Sequence, residues 1–502
     1  MQYVIPGLTK PAPYLIRGNP VCFWIPAFAG MTPTDVIKVL IHKGVFMSNI
    51  EKFFSPLKEI VGESHMIQDP DKLRAYAIDG KKPKMVIFPR TIDEVSRVVA
   101  HANQQHLTII PRGSGTKMGA GGIPKKMDIV LSTSLLNRIT DSDCENLTLA
   151  AESGITLNEV QKSLARVGRG YFLPLDPPFT DQATLGGIVA TNSSGPKRFL
   201  YGTARDLMIG TKVVFPNGDV VISGGKTVKN VSGYDICKLL IGSYGTLGVI
   251  CEMTFKLLPL PEKEATLLVS FTKLEEADAF AHEVRGSHLI PSSIEILNST
   301  AMLKMKYSIS IPQNGNYLVA IGLEGVVESV ERQISEMSEK GKKHGALDTV
   351  VLNSDKHQTF WTALRNFSKL LIEDSPNLIS LRSSFLISKS GEMIESYEKI
   401  VRELGMDCGL ISHAGNGILY AYVLPGKNWR SKTESLIELI GKFTAEVVKN
   451  EGNLVVESAP LMIKKRVDVW GPSRDDYRIV RRLKEQIDPS DIFNPGRFVG
   501  GI

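Results

Sequence analysis

Hydrophobic residues change their period several times along this chain. Ile92, Val95, Val98, Val99 and Ala102 recur at helical spacing behind Thr91-Ile92-Asp93-Glu94, whose Thr and Glu have capping-box spacing. The pattern predicts a helix, then a short strand over 107–110, then a glycine-rich loop. Thr156-Leu157-Asn158-Glu159 predicts a second capped helix, with Leu157, Val160 and Leu164 on one face. Val213-Val214-Phe215 and Val220-Val221-Ile222 flank Pro216-Asn217-Gly218-Asp219, and an Asn-Gly pair between β-branched runs signals a hairpin. Val249, Cys251, Met253, Phe255 and Leu257 alternate strictly, as in a strand with one buried face.

Pro259-Leu260-Pro261-Glu262 reads as a linker, and the pattern changes after it. Strands are expected over 266–271, 293–297, 317–323 and 349–352, with helices over 274–284 and 326–340. That βαββαβ order predicts a ferredoxin-like layer. Further helices are expected near 359–371, 392–404 and 431–448, and strands over 378–387, 410–413 and 418–423. The sequence shows no internal repeat and no low-complexity tract.

Length and composition narrow the class. A chain of 502 residues exceeds one hydrophobic core, so two or three domains are expected. Hydrophobic residues make up 43% and charged residues 22%, as in ordinary globular proteins. The formal charge of +6 favours an anionic ligand or loose contact with a membrane surface. No basic stripe interleaved with aromatics is present, so nucleic acid is not an expected partner. Cys22, Cys144, Cys237, Cys251 and Cys408 are scattered, which supports neither a disulfide framework nor a zinc or iron–sulfur site. No apolar run reaches the ~18 residues of a transmembrane helix. Pro6, Pro11, Pro13, Pro20, Pro26 and Pro33 interrupt the first stretch and argue against a signal peptide. Residues 1–46 are therefore read as a non-native or disordered extension, with the working chain starting near Met47.

Three glycine-punctuated clusters carry the candidate chemistry. The first is Pro111-Arg112-Gly113-Ser114-Gly115-Thr116, where a curled backbone can turn successive N–H groups toward an anion such as a diphosphate. A tight turn is the competing reading of this loop alone, and it is not the GxGxxG that opens a Rossmann helix. The second runs from Pro174-Leu175-Asp176-Pro177-Pro178 through Ala183–Gly195 to Gly202. The third is Gly242-Ser243-Tyr244-Gly245-Thr246-Leu247-Gly248. Together they suggest a backbone that closely approaches a large flat ligand.

PRGSGT, PLDPP, ATLGGIVATNSSGP and GSYGTLGVICEMTFKLLPLP resemble, in order, the FAD domain of the vanillyl-alcohol oxidase or PCMH-type flavoproteins, over about residues 81–262. The resemblance implies an α+β fold: a two-subdomain PCMH-type FAD-binding domain (47–262), then a ferredoxin-like α+β cap or substrate domain (263–485). A tail (486–502) returns to the FAD domain. By the same resemblance, Pro111, Arg112, Gly113, Ser114, Gly115 and Thr116 hold the diphosphate of FAD. Asp176, Thr184, Gly186, Gly187, Asn192, Ser194 and Gly195 line the flavin, and Gly248 and Ile250 lie toward the adenine. Pro174, Tyr201, Gly202 and Asn494 complete the set. The first loop has no His or Cys for covalent attachment, so FAD is expected to be dissociable.

The C-terminal half resembles D-lactate dehydrogenases and the FAD subunits of glycolate oxidase, through Phe360-Trp361-Thr362-Ala363-Leu364-Arg365 and the tail Phe493-Asn494-Pro495-Gly496-Arg497. Asp468-Val469-Trp470-Gly471 and the tail point toward the E-type subunit, although this chain is longer than a usual one. Catalytic members of the D-type branch carry two histidines and a carboxylate able to hold a divalent metal. Here the stretch reads His413-Ala414-Gly415-Asn416-Gly417-Ile418-Leu419-Tyr420, and the later element reads Glu457-Ser458-Ala459-Pro460. Asn416 stands where Asp is expected, Tyr420 replaces the second His, and the later His is missing. No catalytic metal is expected.

The remaining catalytic candidates are His413 as base, Tyr420 as donor, Arg365 as clamp on a substrate carboxylate, Glu457, and Lys465 beside them. For each one alone the competing reading is structural: a strand-end histidine, a surface ion pair, a solvated carboxylate. The expected activity is oxidation of a small 2-hydroxy acid by hydride transfer to FAD. The alternative is a non-catalytic flavin-bearing electron-transfer or assembly subunit, partnered by an iron–sulfur subunit and a second flavoprotein subunit. A quinone or iron–sulfur acceptor is expected rather than NAD. The expected location is the cytoplasm, at most peripheral at the inner face of the membrane.

Overall fold

The computed structural model describes residues 54–168, 170–226, 234–306, 311–312 and 314–502, so the reading of 1–46 falls outside the described residues. The elements below belong to the unit Leu57–Ile502.

The N-terminal half has two sheets. β1 (Met66–Ile67), β2 (Met85–Ile87), β3 (Ile109–Arg112) and β4 (Ile129–Ser132) form the first, in order β1-β2-β4-β3, with β2 and β3 parallel to β4. β5 (Ile139–Asp143), β6 (Thr148–Glu152), β8 (Met208–Val214), β9 (Val220–Gly224) and β10 (Val249–Lys256) form the second, antiparallel and in order β5-β6-β10-β8-β9. A small ribbon joins β7 (Tyr171–Phe172) to β11 (Leu258–Pro259), so the expected linker starts pinned to this half.

Local chemistry accounts for these elements. The helix Ile92–Gln104 starts where Thr91 Oγ1 accepts from Glu94 N, while the Glu94 carboxylate accepts from Arg90 N rather than Thr91 N. The helix Leu157–Leu164 has the full reciprocal box. The Asn217-Gly218 turn joins β8 to β9 with Val214 opposite Val220, and Gly218 takes φ 89°. β3 lies later than the pattern predicted, because Pro111 and Arg112 still pair with Leu131 and Ser132 of β4. The anion loop therefore leaves directly from a strand end.

The cap is an eight-stranded antiparallel sheet. Its strands are β12 (Lys263–Phe271), β13 (Ser293–Asn298), β14 (Tyr317–Gly325), β15 (Asp348–Asn353), β16 (Ile379–Ser384), β17 (Asp407–His413), β18 (Ile418–Leu424) and β19 (Asn453–Ser458). The order β15-β12-β14-β13-β17-β18-β16-β19 contains the ferredoxin-like arrangement twice. The first unit uses helices Leu274–Arg285 and Val327–Lys343, the second Ser390–Glu403 and Thr433–Lys449. The units meet second strand to second strand, with Glu295 of β13 opposite His413 of β17. The two units share no readable residue repeat, because a fold class constrains patterning far more than residue identity, although the elements expected over 378–448 already follow the same order up to β19.

Both faces of the sheet are covered. Phe280, Tyr397 and Phe443 pack with Leu267, Val269 and Phe271, while Phe360, Trp361 and Phe367 pack with Leu268 and Ala320. Burial on two faces explains why these strands read as apolar runs rather than alternations. The helix expected near 359–371 is two, Ser354–Arg365 and Phe367–Asp374, meeting at Asn366, whose Oδ1 accepts from Phe179 N at 2.7 Å. At the tail, Phe493 bridges to Ile109 of β3 in parallel, so the chain end adds to the first sheet.

Candidate functional site

The first two glycine clusters meet side chain to backbone. A Cβ on Gly113 would lie 2.0 Å from Thr184 Oγ1, and one on Gly186 would lie 2.6 Å from Ser153 Cβ. Only glycine lets these loops close to that distance. Between them and the third cluster runs a cleft of about 870 Å³, counting its open mouth. Pro111, Arg112, Gly113, Ser114, Gly115, Thr116, Thr184, Gly186, Gly187, Gly248, Ile250 and Asn494 line it, together with Lys117, Ser153, Thr191, Ser193, Tyr244 and Arg497. Ser153 Oγ, Asn494 Oδ1 and Arg497 Nε are buried there without hydrogen-bond partners among the described residues. Orphaned donors and acceptors are costly in a protein interior, so a polar ligand that satisfies them is favoured.

A smaller pocket of about 320 Å³ continues from the cleft and is lined by Lys117, Thr191, Asn192, Ser193, Ser194, Tyr244, Arg382, Tyr420 and Glu457. Lys117 Nζ lies 3.0 Å from Glu457 Oε2, and Arg382 Nε lies 3.7 Å from Glu457 Oε1. Burial works to raise the Glu457 carboxyl, but Lys117 and Arg382 outweigh it and hold the group below the usual carboxylate range. Among the described residues Arg382 Nε has no hydrogen-bond partner, nor has Asn192 Oδ1. Burial and the nearby Glu457 push the Tyr420 phenol well up, so it stays protonated. Burial likewise pushes Tyr244 up to about 12.

Behind Tyr420 lies a buried acid–base pair. The His413 ring is 5.1 Å from that of Tyr420, and His413 Nδ1 is 2.5 Å from Glu295 Oε2. Burial pushes Glu295 up to about 7 against the pull of His413. Asp176 is raised by the same cause, partly offset by Arg365. Among the described residues no group of three or more His, Cys, Asp and Glu is placed to hold a metal ion.

Residues 83–224 match the FAD-binding domain family and residues 260–498 the C-terminal domain of FAD-linked oxidases. The chain belongs to the FAD-linked oxidases. Among the relatives of this FAD-linked oxidase, glycolate oxidase subunit GlcD of Bacillus subtilis is 29% identical, over 83% of this chain and 88% of the relative. The D-lactate dehydrogenase of Anaerostipes hadrus is 27% identical, over 89% and 96%. The D-2-hydroxyglutarate dehydrogenase of Stutzerimonas stutzeri is 24% identical, over 88% and 97%. The glycolate oxidase relative is thus a D-type subunit. The 4-ethylphenol oxidase from Gulosibacter chungangensis shares the fold at TM-score 0.70 and 16% identity, over 90% of this chain and 97% of that one. p-Cresol methylhydroxylase does so at TM-score 0.69 and 18% identity, over 90% and 96%. The PCMH-type α+β reading is borne out, and FAD, the family's cofactor, fits the glycine-walled cleft and its orphaned polar atoms.

Other expected site residues of this FAD-linked oxidase sit elsewhere. Asn192 and Ser194 line the smaller pocket instead of the cleft. Asp176 staples the turn beneath them, accepting from Gly195 N and Lys197 N at 3.1 and 2.9 Å. Gly195 packs on the Asp176 backbone, and Pro174 is buried nearby. Tyr201 donates to Glu324 of the cap at 2.7 Å, with Gly202 against Asp206, so neither lines the cleft. Tyr420 and Glu457 line the pocket, whereas His413 and Arg365 stand outside its lining. Lys465 is exposed; the inward lysine is Lys464, 2.5 Å from Asp79. Sequence reasoning missed Lys117, Arg382 and Glu295. For the last two a signal existed: each is a lone charge within a strand otherwise built of apolar and small residues.

Proposed function

We propose that this chain oxidises a small 2-hydroxy acid, the hydroxyl-bearing carbon giving up a hydride and its oxygen a proton. One observation carries the reading: the glycine-walled cleft opens into a pocket holding two cationic side chains, Lys117 and Arg382. The names of the relatives, covering glycolate, D-lactate and D-2-hydroxyglutarate, support the same substrate class.

FAD bound in the cleft supplies the hydride acceptor. Arg382, half-buried in the pocket wall with its Nε unpartnered among the described residues, offers a planar fork for the substrate carboxylate. Tyr420, kept protonated, donates to a substrate oxygen. Glu457 holds Lys117 and Arg382 at the pocket wall. Glu295 fixes the His413 ring through Nδ1 behind Tyr420, so His413 is the proton acceptor for a substrate whose hydroxyl reaches past the Tyr420 ring. The pocket offers cations and a phenol around Glu457, a donor set unsuited to a divalent metal, so no step is assigned to one. The test is anaerobic bleaching of the FAD-loaded protein by glycolate, D-lactate and D-2-hydroxyglutarate. Bleaching by one of them supports the reading, and an oxidised spectrum with all three overturns it.

A second reading is that the chain works as one flavin-bearing subunit of a multi-subunit dehydrogenase beside an iron–sulfur subunit. It is favoured by the Bacillus relative, itself named a subunit, and by His413 and Arg365 standing back from the pocket wall. Pull-down of the tagged chain from its native host separates the two: a lone protein with full turnover rules this out. No helix among the described residues is long and apolar enough to cross a membrane.

A further inference from the structure

Hydride transfer requires the substrate carbon to touch the cofactor ring, so chemistry belongs where cleft and pocket share walls. Four residues line both spaces: Lys117, Thr191, Ser193 and Tyr244. Lys117 is the charged one. It follows the anion loop by one residue, yet its Nζ crosses to the cap and pairs with Glu457 at 3.0 Å. Glu457 in turn lies 3.7 Å from Arg382, so one carboxylate stands between two cations and the trio carries net positive charge. A half-buried trio with an excess cation, whose enclosed Arg382 Nε has no partner among the described residues, is incomplete without an anion.

Resting on the proposed hydroxy-acid reading, we propose that Lys117 is the substrate's anion anchor at the junction of cleft and pocket. Glu457 is the resident counter-ion that Lys117 and Arg382 share and that the ligand's carboxylate competes with. The ligand class is a carboxylate whose neighbouring carbon bears oxygen, small enough to reach Lys117 and Arg382 together. Replacing Lys117 removes a charge-assisted contact, whereas replacing Glu457 removes the competitor for both cations.

Oxalate, which presents two adjacent carboxylates and cannot be oxidised by hydride loss, is the probe. It is titrated into the FAD-loaded full chain while the flavin absorption band is followed. Lys117→Met is expected to weaken oxalate binding about tenfold to a hundredfold with FAD content unchanged, and Lys117→Arg to restore most of it. Glu457→Gln is expected to bind oxalate at least as tightly as the parent, because the carboxylate that competes for both cations is gone, and weaker binding by this variant overturns the proposal. Unchanged oxalate affinity in Lys117→Met overturns the proposal. So does loss of FAD from that variant, because the ammonium would then belong to the cofactor's site. A protein that no 2-hydroxy acid bleaches, yet that binds oxalate through Lys117, would sink the oxidation reading and leave this anion site standing.

Discussion

Glu295 shows most clearly what a single residue decides. Placed mid-strand between Ile294 and Ile296, it is fully buried, and its carboxylate meets His413 Nδ1 at 2.5 Å. A carboxyl raised from 4.5 to about 7 binds its proton more tightly folded than unfolded. Its contribution to stability is therefore fully present below pH about 4.5 and is lost as pH rises through about 7. Compared with Glu295→Gln, the parent should lose up to about 3 kcal/mol of unfolding free energy across that window. Urea titrations of both proteins at pH 5 and 8 measure it, and an equal gap at the two pH values refutes it. Gly113 is decided by space alone. With Thr184 Oγ1 2.0 Å from its missing Cβ, Gly113→Ala should open the anion loop and shed FAD, seen as loss of visible absorbance after gel filtration.

Elements depend on a few local contacts that can be removed one at a time. Thr156 accepts from Glu159 N at 3.2 Å while Glu159 accepts from Thr156 N at 2.9 Å. Thr156→Ala should cost about 1 kcal/mol and leave the flavin spectrum unchanged, because the cap serves its own helix. In the cap, Tyr397 and Phe443 stack at 3.7 Å, tying the helices Ser390–Glu403 and Thr433–Lys449 of one ferredoxin-like unit together. Phe443→Ala should cost about 3–5 kcal/mol by thermal or urea unfolding, through the cavity it leaves in a closed core. These helices were legible in the chain because their apolar stripes repeat at 3.6 residues. The strand β19 was not: Asn453-Leu454-Val455-Val456-Glu457-Ser458 is short and carries its charge at a pocket wall.

For the whole molecule, the tail acts as a strap. Lys484, buried in the helix Tyr477–Ile487, donates to Thr246 O, Phe493 O and Asp488 Oδ2 at 2.9, 3.0 and 2.6 Å. Arg497 donates to Gly122 O and Met118 O at 3.1 and 2.8 Å. The chain end thereby ties two of the cleft-lining loops to each other. Truncation after Pro489 should release FAD and lower the unfolding temperature, and Lys484→Met should cost about 3–5 kcal/mol by leaving Asp488 buried without its charge partner. Retention of FAD by the truncated chain would refute the strap. Across the halves, Lys197 sits 3.0 Å from Glu264 and 2.7 Å from Glu324, so the cap and the flavin half meet through buried charge.

The chain alone determined the glycine walls of the cleft, the capped helices, the Asn-Gly hairpin and the family, because each rests on residues adjacent in sequence. Backbone freedom, capping and periodicity are short-range physics, readable without knowing the fold. Only the tertiary structure decided the pocket. Lys117 and Glu457 are 340 positions apart, and His413 meets Glu295 only because two ferredoxin-like units join edge to edge. An ion pair between distant residues leaves no period and no motif, since its partners are chosen by how sheets stack rather than by neighbours along the chain.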